Sequence, residues 1–335
     1  MRQLVSVILA ALTLLPACGD DSSGGGSDVD TDTDTDADSD TDVDSDTDTD
    51  TDACGPVDCD TIQEGLNCEY MVDGEPRDFY LHLPSNVEDD GPWPVIFNFH
   101  GMGDTAQNMS GLLSSLVDNP TMPFILVTPE DTDVTVLNVV NIDWHVHQVD
   151  AETNIEILMF DSLLGCLDER FGVDQDHVHV VGFSMGGFCT DMLGVIRGEQ
   201  IASLATFSGG YGSNPANEEL MGALSMVVNW PDPTHSNPYA QLMLYGGEID
   251  TYDAGLFVLN IGTASVNDTV YLGGMGHDVV LCNHGLGHTA PAPDMGGSQL
   301  VEFFTDHPRG VTDSPYNIDG LPSDFAEYCE LMPGD

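Results

Sequence analysis

Short apolar runs alternate along the chain with segments of helical periodicity. Residues 155–171 carry apolar side chains at helical spacing, and Gly172 follows them as a helix stop. The strand-like runs are almost continuously apolar, as in parallel strands buried on both faces, and they cover 79–83, 95–99, 124–127, 178–181, 202–207, 242–245 and 279–281. This alternation predicts an α/β fold with a mostly parallel central sheet and helices on both of its faces.

The N-terminus has the pattern of an export signal. Arg2 supplies a positive charge, and residues 4–15 form an apolar run that is too short for a membrane anchor. The run ends in Leu15-Pro16-Ala17-Cys18, which resembles a bacterial lipobox. We therefore expect residues 1–18 to be a lipoprotein signal peptide and Cys18 to be lipidated at the outer membrane or cell surface. Secretion without a lipid is the alternative, because Pro16 is unusual in a lipobox.

Residues 19–53 are rich in Asp, Thr, Ser and Gly and contain almost no apolar side chains. Such a segment cannot offset the entropy of ordering, so we expect a disordered, self-repelling linker ahead of a single catalytic domain at 54–335. The repeated Asp-Thr pairs leave weak calcium binding as an alternative. The Asp-rich run at 28–52 contains neither the Gly nor the terminal Glu of a 12-residue calcium loop, which favours a spacer.

The charge balance excludes whole classes of partner. The chain has 58 Asp and Glu against 5 Lys and Arg, a net charge of -53. Nucleic acid and anionic membrane surfaces would repel such a protein, so we expect no nucleic-acid partner and membrane contact only through an N-terminal lipid. A monomer is expected.

The cysteine count indicates disulfides and one free thiol. Setting Cys18 aside leaves seven cysteines, an odd number in an exported chain. Cys189 lies in a predicted buried helix and is the candidate for the free thiol, whereas Cys54, Cys59 and Cys68 are expected to hold one bridge. A metal cluster is the alternative for that trio, but its spacing fits no common zinc pattern.

The most informative motif lies at 182–186, where Gly182-Phe183-Ser184-Met185-Gly186 separates a predicted strand from a predicted helix. A nucleophile on such a sharp turn needs small residues two positions before and after it, and Gly182 and Gly186 supply them. Ser184 is therefore the predicted nucleophile. The N–H group of Met185, at the start of the helix, is predicted to contact an oxyanion.

A nucleophile of this kind is followed along the chain by an acid and then by a histidine. Asp250 emerges after the predicted strand at 242–245 and is the favoured acid, with Asp253 in reserve. His288 lies in a Gly-containing loop after the strand at 279–281 and is the favoured base, with His284 and His277 as alternatives. The acid would hold the imidazole in the tautomer that accepts the serine proton.

Two further segments are expected to complete the active site. Phe99-His100-Gly101-Met102-Gly103 follows a predicted strand, and we expect the N–H of Met102 to complete the oxyanion hole, with that of Gly101 in reserve. Trp144 is expected to line the substrate pocket.

Two pairs of histidines, His145 with His147 and His177 with His179, are spaced as ligands on one strand face would be. Polar strand ends are the favoured interpretation. The predicted chemistry needs no metal and no organic cofactor.

At these positions the chain resembles exported α/β-hydrolase esterases of the polyhydroxybutyrate depolymerase and feruloyl or acetylxylan esterase type. The matching pieces are Tyr80-Leu81-His82-Leu83-Pro84, Phe99-His100-Gly101, Trp144, Phe171-Gly172-Val173-Asp174, the motif at 182–187, Gly247-Glu248-Ile249-Asp250 and Gly287-His288-Thr289-Ala290-Pro291. The resemblance implies the α/β-hydrolase fold, with Ser184, Asp250 and His288 as the triad. The chain departs from the family pattern at Met185, Ala290 and His177, so the resemblance does not distinguish between the family's substrates.

The sequence thus predicts a serine carboxylic-ester hydrolase. The family implies feruloyl or acetyl esters of plant polysaccharide, or a polyhydroxyalkanoate-type polyester, as the substrate. A serine peptidase is one alternative, since it shares the triad and the fold. A non-catalytic surface-binding lipoprotein is another, which an intact Ser, Asp and His argue against.

Overall fold

The structure, a computed structural model, describes residues 54–332 apart from 89, 133, 137–139, 148, 219–227, 229, 234–235, 254–257 and 312. The chain divides into two units, 1–49 and 50–335, and the described residues belong to the second. The predicted signal peptide, the lipidation site Cys18 and the linker at 19–53 lie outside the described residues. Among the residues described, none of the helices is long and apolar enough to cross a membrane.

Thirteen strands are found in the described residues. They are β1 (Gly65–Val72), β2 (Glu75–His82), β3 (Trp93–Phe99), β4 (Ile125–Pro129), β5 (Val134–Val136), β6 (Val140–Ile142), β7 (Val173–Phe183), β8 (Ser203–Phe207), β9 (Ala240–Tyr245), β10 (Thr251–Asp253), β11 (Val258–Asn260), β12 (Val279–Asn283) and β13 (Cys329–Met332). The pairs β5–β6 and β10–β11 form separate two-stranded hairpins, and the other nine strands share one sheet.

The large sheet has the order β1-β2-β4-β3-β7-β8-β9-β12-β13. Its six central strands, from β4 to β12, run parallel. β1 and β2 at one edge and β13 at the other are antiparallel to their neighbours. All seven predicted strands lie in this sheet, so the prediction of a mostly parallel sheet is confirmed. The carboxyl ends of its parallel strands lie together at one end of the sheet, where ligands bind in folds of this class.

The helices lie against this sheet. They are α1 (Ala106–Ser110), α2 (Ile155–Phe171), α3 (Met185–Arg197), α4 (Ile261–Gly273), α5 (Gly297–Asp306) and α6 (Tyr316–Asp319), with short 3-10 turns at Ser114–Leu116, Pro215–Asn217 and Gly247–Ile249. The longest, α2, has the predicted bounds. The Asn154 side chain caps its first turn by accepting from the N–H groups of Glu156 and Ile157, and Gly172 ends it at φ 72°.

Two apolar layers cover the two faces of the sheet. Phe97 of β3 belongs to the layer that includes α2 and α3, and its ring centroid lies 4.7 Å from that of Phe160. Its neighbour Ile96 points the other way, as alternation along a strand requires, into the layer that includes Phe304 of α5. Helices on both faces were predicted, and this arrangement confirms them.

Three disulfides cross-link the described domain. Cys54 pairs with Cys68, Cys59 with Cys166, and Cys282 with Cys329. The expected single bridge within the N-terminal trio is therefore present, and Cys189 is free and buried as predicted. Disulfides persist in oxidising compartments, so these three bridges are consistent with export.

Candidate active site

Ser184 lies on the sharp turn between β7 and α3. β7 ends at Phe183 and α3 begins at Met185, so this residue alone makes the connection. Its backbone has φ 54° and ψ -117°, a strained conformation for a residue with a side chain. The turn directs the hydroxyl away from the helix, toward the carboxyl ends of the parallel strands.

The backbones around this turn approach too closely for side chains. A Cβ atom at Gly182 would lie 2.2 Å from the carbonyl oxygen of Gly186, and one at Gly186 would lie 2.2 Å from the carbonyl oxygen of Phe99. Glycine is therefore required at both positions, as the motif predicted. The second contact presses α3 against the end of β3 and sets the position of the loop that follows β3.

The structure brings Ser184, His288 and Asp250 into one chain of hydrogen bonds. The Nε2 atom of His288 lies 2.8 Å from the Oγ atom of Ser184, and its Nδ1 atom lies 2.8 Å from the Oδ1 atom of Asp250. The carboxylate only accepts, so Nδ1 carries a proton and Nε2 is left to accept from the hydroxyl. This is the tautomer that can remove a proton from Ser184.

Asp250 is fully buried, yet it is held in the ionised form. Burial alone would raise the pKa of its carboxyl group, but hydrogen bonds from His288, the Gly246 N–H and the Ser208 hydroxyl outweigh burial and lower that pKa. The last two donors both reach the Oδ2 atom, at 2.8 and 2.7 Å. A buried negative charge is thus fixed behind the imidazole, where it would stabilise an imidazolium ion.

The reserve candidates occupy other places. Asp253 lies on the exposed side of hairpin β10–β11. His277 is buried with its Nδ1 atom 2.9 Å from the carbonyl oxygen of Tyr239, and the Nδ1 atom of His284 lies 3.3 Å from the backbone nitrogen of Leu286. The described contacts therefore bring Asp250 and His288, rather than these alternatives, to Ser184.

The loop after β3 lies directly beside the turn at Ser184. A Cβ atom at Gly101 would lie 2.8 Å from the Phe183 ring, and Met102 packs half-buried against the core. Gly103 has φ 74°, and its N–H donates to the Oδ2 atom of Asp143. The loop can thus present a backbone N–H beside the first turn of α3, where N–H groups have no partner within the helix.

The expectation that Trp144 lines a pocket needs correction. Its side chain has no exposed surface, and its indole N–H donates to the carbonyl oxygen of His100 at 3.0 Å. The indole also meets the Phe99 ring edge-on, with ring centroids 5.2 Å apart. A fully enclosed side chain cannot line an open pocket, so Trp144 instead supports the loop after β3 from below. Phe183 and Tyr252, with ring centroids 5.1 and 5.9 Å from that of His288, lie nearer the site.

Ser208 was not identified from the sequence. It follows β8 directly at φ 54°, and its hydroxyl is buried against Asp250. The signal was the run Phe207-Ser208-Gly209-Gly210 at the end of a predicted strand, a place where small and polar residues form sites.

Two further buried carboxylates hold the loop that Ser208 begins. Asp191 of α3 accepts from the Gly210 N–H, and Asp268 of α4 accepts from the Tyr211 N–H and the Asn214 side chain. Burial raises the pKa of Asp268 to about 7 despite these hydrogen bonds. Burial and the neighbouring Asp268 charge raise the pKa of Asp191 well above its usual range.

This burial predicts a pH dependence of stability. An unfolded Asp has a pKa of about 3.9, so between about pH 4 and pH 7 the unfolded chain releases a proton that folded Asp268 retains. The free energy of unfolding should therefore fall as pH rises through this window, by up to about 1.4 kcal/mol per pH unit from this group. Urea denaturation at pH 4.5 to 8 of the wild type, Asp268→Asn and the exposed-turn control Asp73→Asn would measure it. Parallel pH profiles for all three proteins would contradict the prediction.

Three of the four histidines in the two pairs form hydrogen bonds with nearby side chains. The Nδ1 atom of His145 lies 2.8 Å from Glu156, that of His177 lies 2.9 Å from Asp174, and that of His179 lies 2.9 Å from the Ser203 hydroxyl. Neither pair belongs to a group of three metal-ligating side chains among the described residues.

Comparison with known families identifies the family of the chain. The sequence profile of the Esterase family, described as "Putative esterase", matches residues 71–254, more than half of the chain. That range contains Ser184 and Asp250 and ends before His288. The match supports the resemblance read from the motifs.

Individual relatives point the same way. Feruloyl esterase D of Neurospora crassa is 26% identical over 162 residues, which are 44% of this chain and 51% of that protein. The chain thus spans about half the length of this curated relative.

Solved structures share the fold at low sequence identity. Native sOPH matches with a TM-score of 0.62 at 18% identity, covering 82% of this chain and 95% of its own. A CE1 ferulic acid esterase from Anaeromyces mucronatus, in complex with ferulic acid, matches with a TM-score of 0.53 at 16% identity, covering 73% of this chain and 90% of its own. These likenesses confirm the predicted α/β-hydrolase fold.

Proposed function

This chain belongs to the Esterase family, and from that premise we propose that it is a serine carboxylic-ester hydrolase. The observation that carries the proposal is the hydrogen-bonded chain from Ser184 through His288 to Asp250. In this proposal Ser184 is the nucleophile, His288 the general base and acid, and Asp250 the group that orients His288.

The reaction proceeds in two halves. The Ser184 oxygen attacks the ester carbonyl carbon while the Nε2 atom of His288 takes its proton, and the tetrahedral intermediate then expels the alcohol, which His288 protonates. A water molecule next attacks the acyl-enzyme with His288 again as base. Collapse of the second intermediate releases the carboxylic acid and restores the Ser184 hydroxyl. No step of this reaction requires a metal or an organic cofactor.

The negative charge on the intermediate needs donors on the side away from His288. We assign this role to the backbone N–H groups of Met185 and Met102. Met185 is the first residue of α3, where the helix dipole favours negative charge, and Met102 lies on the loop packed beside Phe183. Backbone donors of this kind are already oriented, so the intermediate is stabilised without reorganisation of the site.

The proposed substrates are feruloyl or acetyl esters of plant polysaccharide, or a polyhydroxyalkanoate-type polyester. The similarity to feruloyl esterase D supports the first class. The rings of Phe183 and Tyr252 beside His288 support an aromatic or apolar acyl group. The departures from the family pattern at Met185 and Ala290 leave the choice between these classes to experiment.

A substrate panel tests the proposal. The wild type and Ser184→Ala are assayed against p-nitrophenyl acetate, methyl ferulate, acetylated xylan and a hydroxybutyrate oligomer, at low and at molar salt because the chain is so acidic. Turnover of one of them that vanishes in the variant supports the triad and identifies the substrate class. If no ester is cleaved and Ser184 does not react with a fluorophosphonate probe, the proposal is wrong and a non-catalytic binding role takes its place.

Ser208 is predicted to contribute to turnover through Asp250. Ser208→Ala removes one of the two donors to the Oδ2 atom of Asp250, and a hydrogen bond to a charged group contributes about 1.5–3 kcal/mol. We expect kcat for an ester substrate to fall roughly tenfold or more with KM little changed, because the imidazole loses its fixed orientation rather than its substrate contacts. Ser298→Ala, an exposed serine on α5, serves as the control. A Ser208→Ala enzyme with wild-type kcat would contradict this role.

We further propose that the enzyme is exported and held at the cell surface by a lipid on Cys18, with residues 19–53 as the spacer. The three disulfides support export. Replacing Cys18 with Ser should move the protein from the membrane fraction of a bacterial host into the soluble fraction, as an immunoblot of the two fractions would measure. Equal membrane retention of the wild type and the variant would count against lipidation.

A further inference from the structure

A group of side chains that could bind a metal ion lies at the start of the loop after β3. His100 follows β3, Asp131 lies two residues beyond the end of β4, and Asp143 follows β6 directly. One ligand atom of each lies within 4.8 Å of the others. His100 is fully buried, Asp143 is nearly so, and Asp131 is partly exposed, so the group is enclosed on most sides with an opening at Asp131.

The orientation of the His100 ring is fixed by hydrogen bonding. Its Nδ1 atom lies 2.9 Å from the carbonyl oxygen of Gly101. A carbonyl oxygen only accepts, so Nδ1 carries the proton and Nε2 presents its lone pair. This is how histidine ligands are commonly held, with one ring nitrogen donating to the protein and the other free to coordinate.

The Nε2 atom faces two carboxylate oxygens. It is buried and forms no hydrogen bond that meets the usual geometry, although it lies 3.4 Å from the Oε1 atom of Glu130 and 3.5 Å from the Oδ1 atom of Asp131. A lone pair and two carboxylate oxygens repel one another unless a positive charge lies between them. That charge is carried either by a proton on Nε2 or by a metal ion.

The spacing favours a metal ion. An imidazolium–carboxylate hydrogen bond is about 2.7–2.9 Å long, shorter than both separations. Two ligand atoms bound tetrahedrally to zinc at about 2.0–2.1 Å are about 3.4 Å apart. The 3.5 Å between the Nε2 atom of His100 and the Oδ1 atom of Asp131 matches that separation, and a ligand atom of Asp143 lies within 4.8 Å of the other two ligand atoms. One imidazole with two carboxylates is a donor set that zinc accepts.

We propose that His100, Asp131 and Asp143 bind a zinc ion, with Glu130 beside it. The ion would be structural, because the ester chemistry of Ser184 does not need it. It would fix the loop that carries Met102, since Asp143 also accepts from the Gly103 N–H. The His100 carbonyl accepts from the Trp144 indole, which fixes the start of the same loop.

The test measures zinc binding by the full chain. Protein freed of metal with EDTA is titrated with ZnCl2 in competition with a fluorescent zinc chelator, for the wild type, His100→Gln, Asp131→Asn and His177→Gln. The last variant is the matched control, because His177 also pairs with a carboxylate, Asp174, but at the surface. The acidic linker is the same in all four proteins, so differences between them report the proposed site alone.

We expect the wild type and His177→Gln to bind one tight equivalent of zinc, and His100→Gln and Asp131→Asn to bind it at least tenfold more weakly. Zinc should also raise the Tm of the first two proteins only, and slow amide hydrogen exchange in residues 101–104. Asp131→Asn keeps the test valid if His100→Gln does not fold, because Asp131 is partly exposed. Equal zinc affinity in all four proteins, or no tight equivalent in the wild type, would overturn the proposal. Neither result depends on esterase activity.

Discussion

Replacing Ser184 with alanine is expected to lower kcat for ester hydrolysis by roughly 10⁴-fold to 10⁶-fold. The substitution removes the hydroxyl oxygen that lies 2.8 Å from the Nε2 atom of His288 and leaves the proposed oxyanion donors in place. The backbone strain at φ 54° is unchanged, because alanine adopts this conformation no more easily than serine does. The measurement is kcat on the substrate that the panel identifies, together with the free energy of unfolding in urea.

The expected result has two parts, and each can fail. The free energy of unfolding should change by less than about 1 kcal/mol, as for a small substitution that creates no clash. Residual turnover within tenfold of the wild type would exclude Ser184 as the nucleophile. A large loss of stability would mean that the lost activity reports misfolding, and fluorophosphonate labelling of the wild type, with the labelled residue identified by mass spectrometry, would then decide the role.

Replacing Gly186 with alanine is expected to destabilise the domain by more than about 4 kcal/mol. The new Cβ atom would lie 2.2 Å from the carbonyl oxygen of Phe99 and 2.4 Å from that of His100. Both are backbone atoms at the end of a central strand, which cannot rotate away as a side chain could. To fit the methyl group, α3 must separate from β3, and the packing of two core elements is lost.

Gly165→Ala is the matched control for this prediction. Gly165 lies within α2 on the exposed side, and a Cβ atom there would meet no heavy atom within 4 Å. Because alanine is the better helix former by about 0.8–1.0 kcal/mol, this variant should be more stable than the wild type. Urea denaturation of both variants measures the contrast. A Gly186→Ala protein with a wild-type midpoint would show that α3 is free to move away from β3.

The features that could be predicted from the sequence depend on short segments. The turn at Ser184 requires Gly182 and Gly186 within five residues, and α2 is defined by its own periodicity and by Gly172. Asp250 follows a strand, and the order of triad residues along the chain places the base among the histidines that come after Asp250. Each of these local patterns has a physical cause within a few residues of the chain, so the sequence alone indicates the element and, from the elements, the fold.

The features that were missed depend on contacts between distant segments. Nothing local to Ser208 indicates that its hydroxyl reaches Asp250, 42 residues later. Trp144 is of a residue type that often lines pockets, but its burial depends on contact with the loop after β3, 44 residues earlier. The grouping of His100, Asp131 and Asp143 likewise follows from strand order, which brings together residues that the chain separates.

The pattern of strands also had limits. The antiparallel edge strands β1 and β13 were not predicted, because an edge strand is partly exposed and lacks a continuous apolar run. Hairpins β5–β6 and β10–β11 have strands of three residues, too short for any periodicity to be read. The six parallel central strands, each of which contains a continuous buried run, were all identified.

The two disulfides near the start of the catalytic domain determine what a proteolytic cut there would do to the enzyme. Cys54 is joined to Cys68, so the backbone between them forms a closed covalent ring, and Cys59 within that ring is joined to Cys166 of α2. A single cut anywhere in residues 55–67 therefore leaves both pieces attached to the catalytic domain. If a lipid on Cys18 anchors the enzyme as we propose, its release requires a cut before Cys54, or a cut within residues 55–67 together with reduction of the bridges. A cut before Cys54 would thus release an intact enzyme from the proposed anchor, whereas a cut within residues 55–67 would leave it attached.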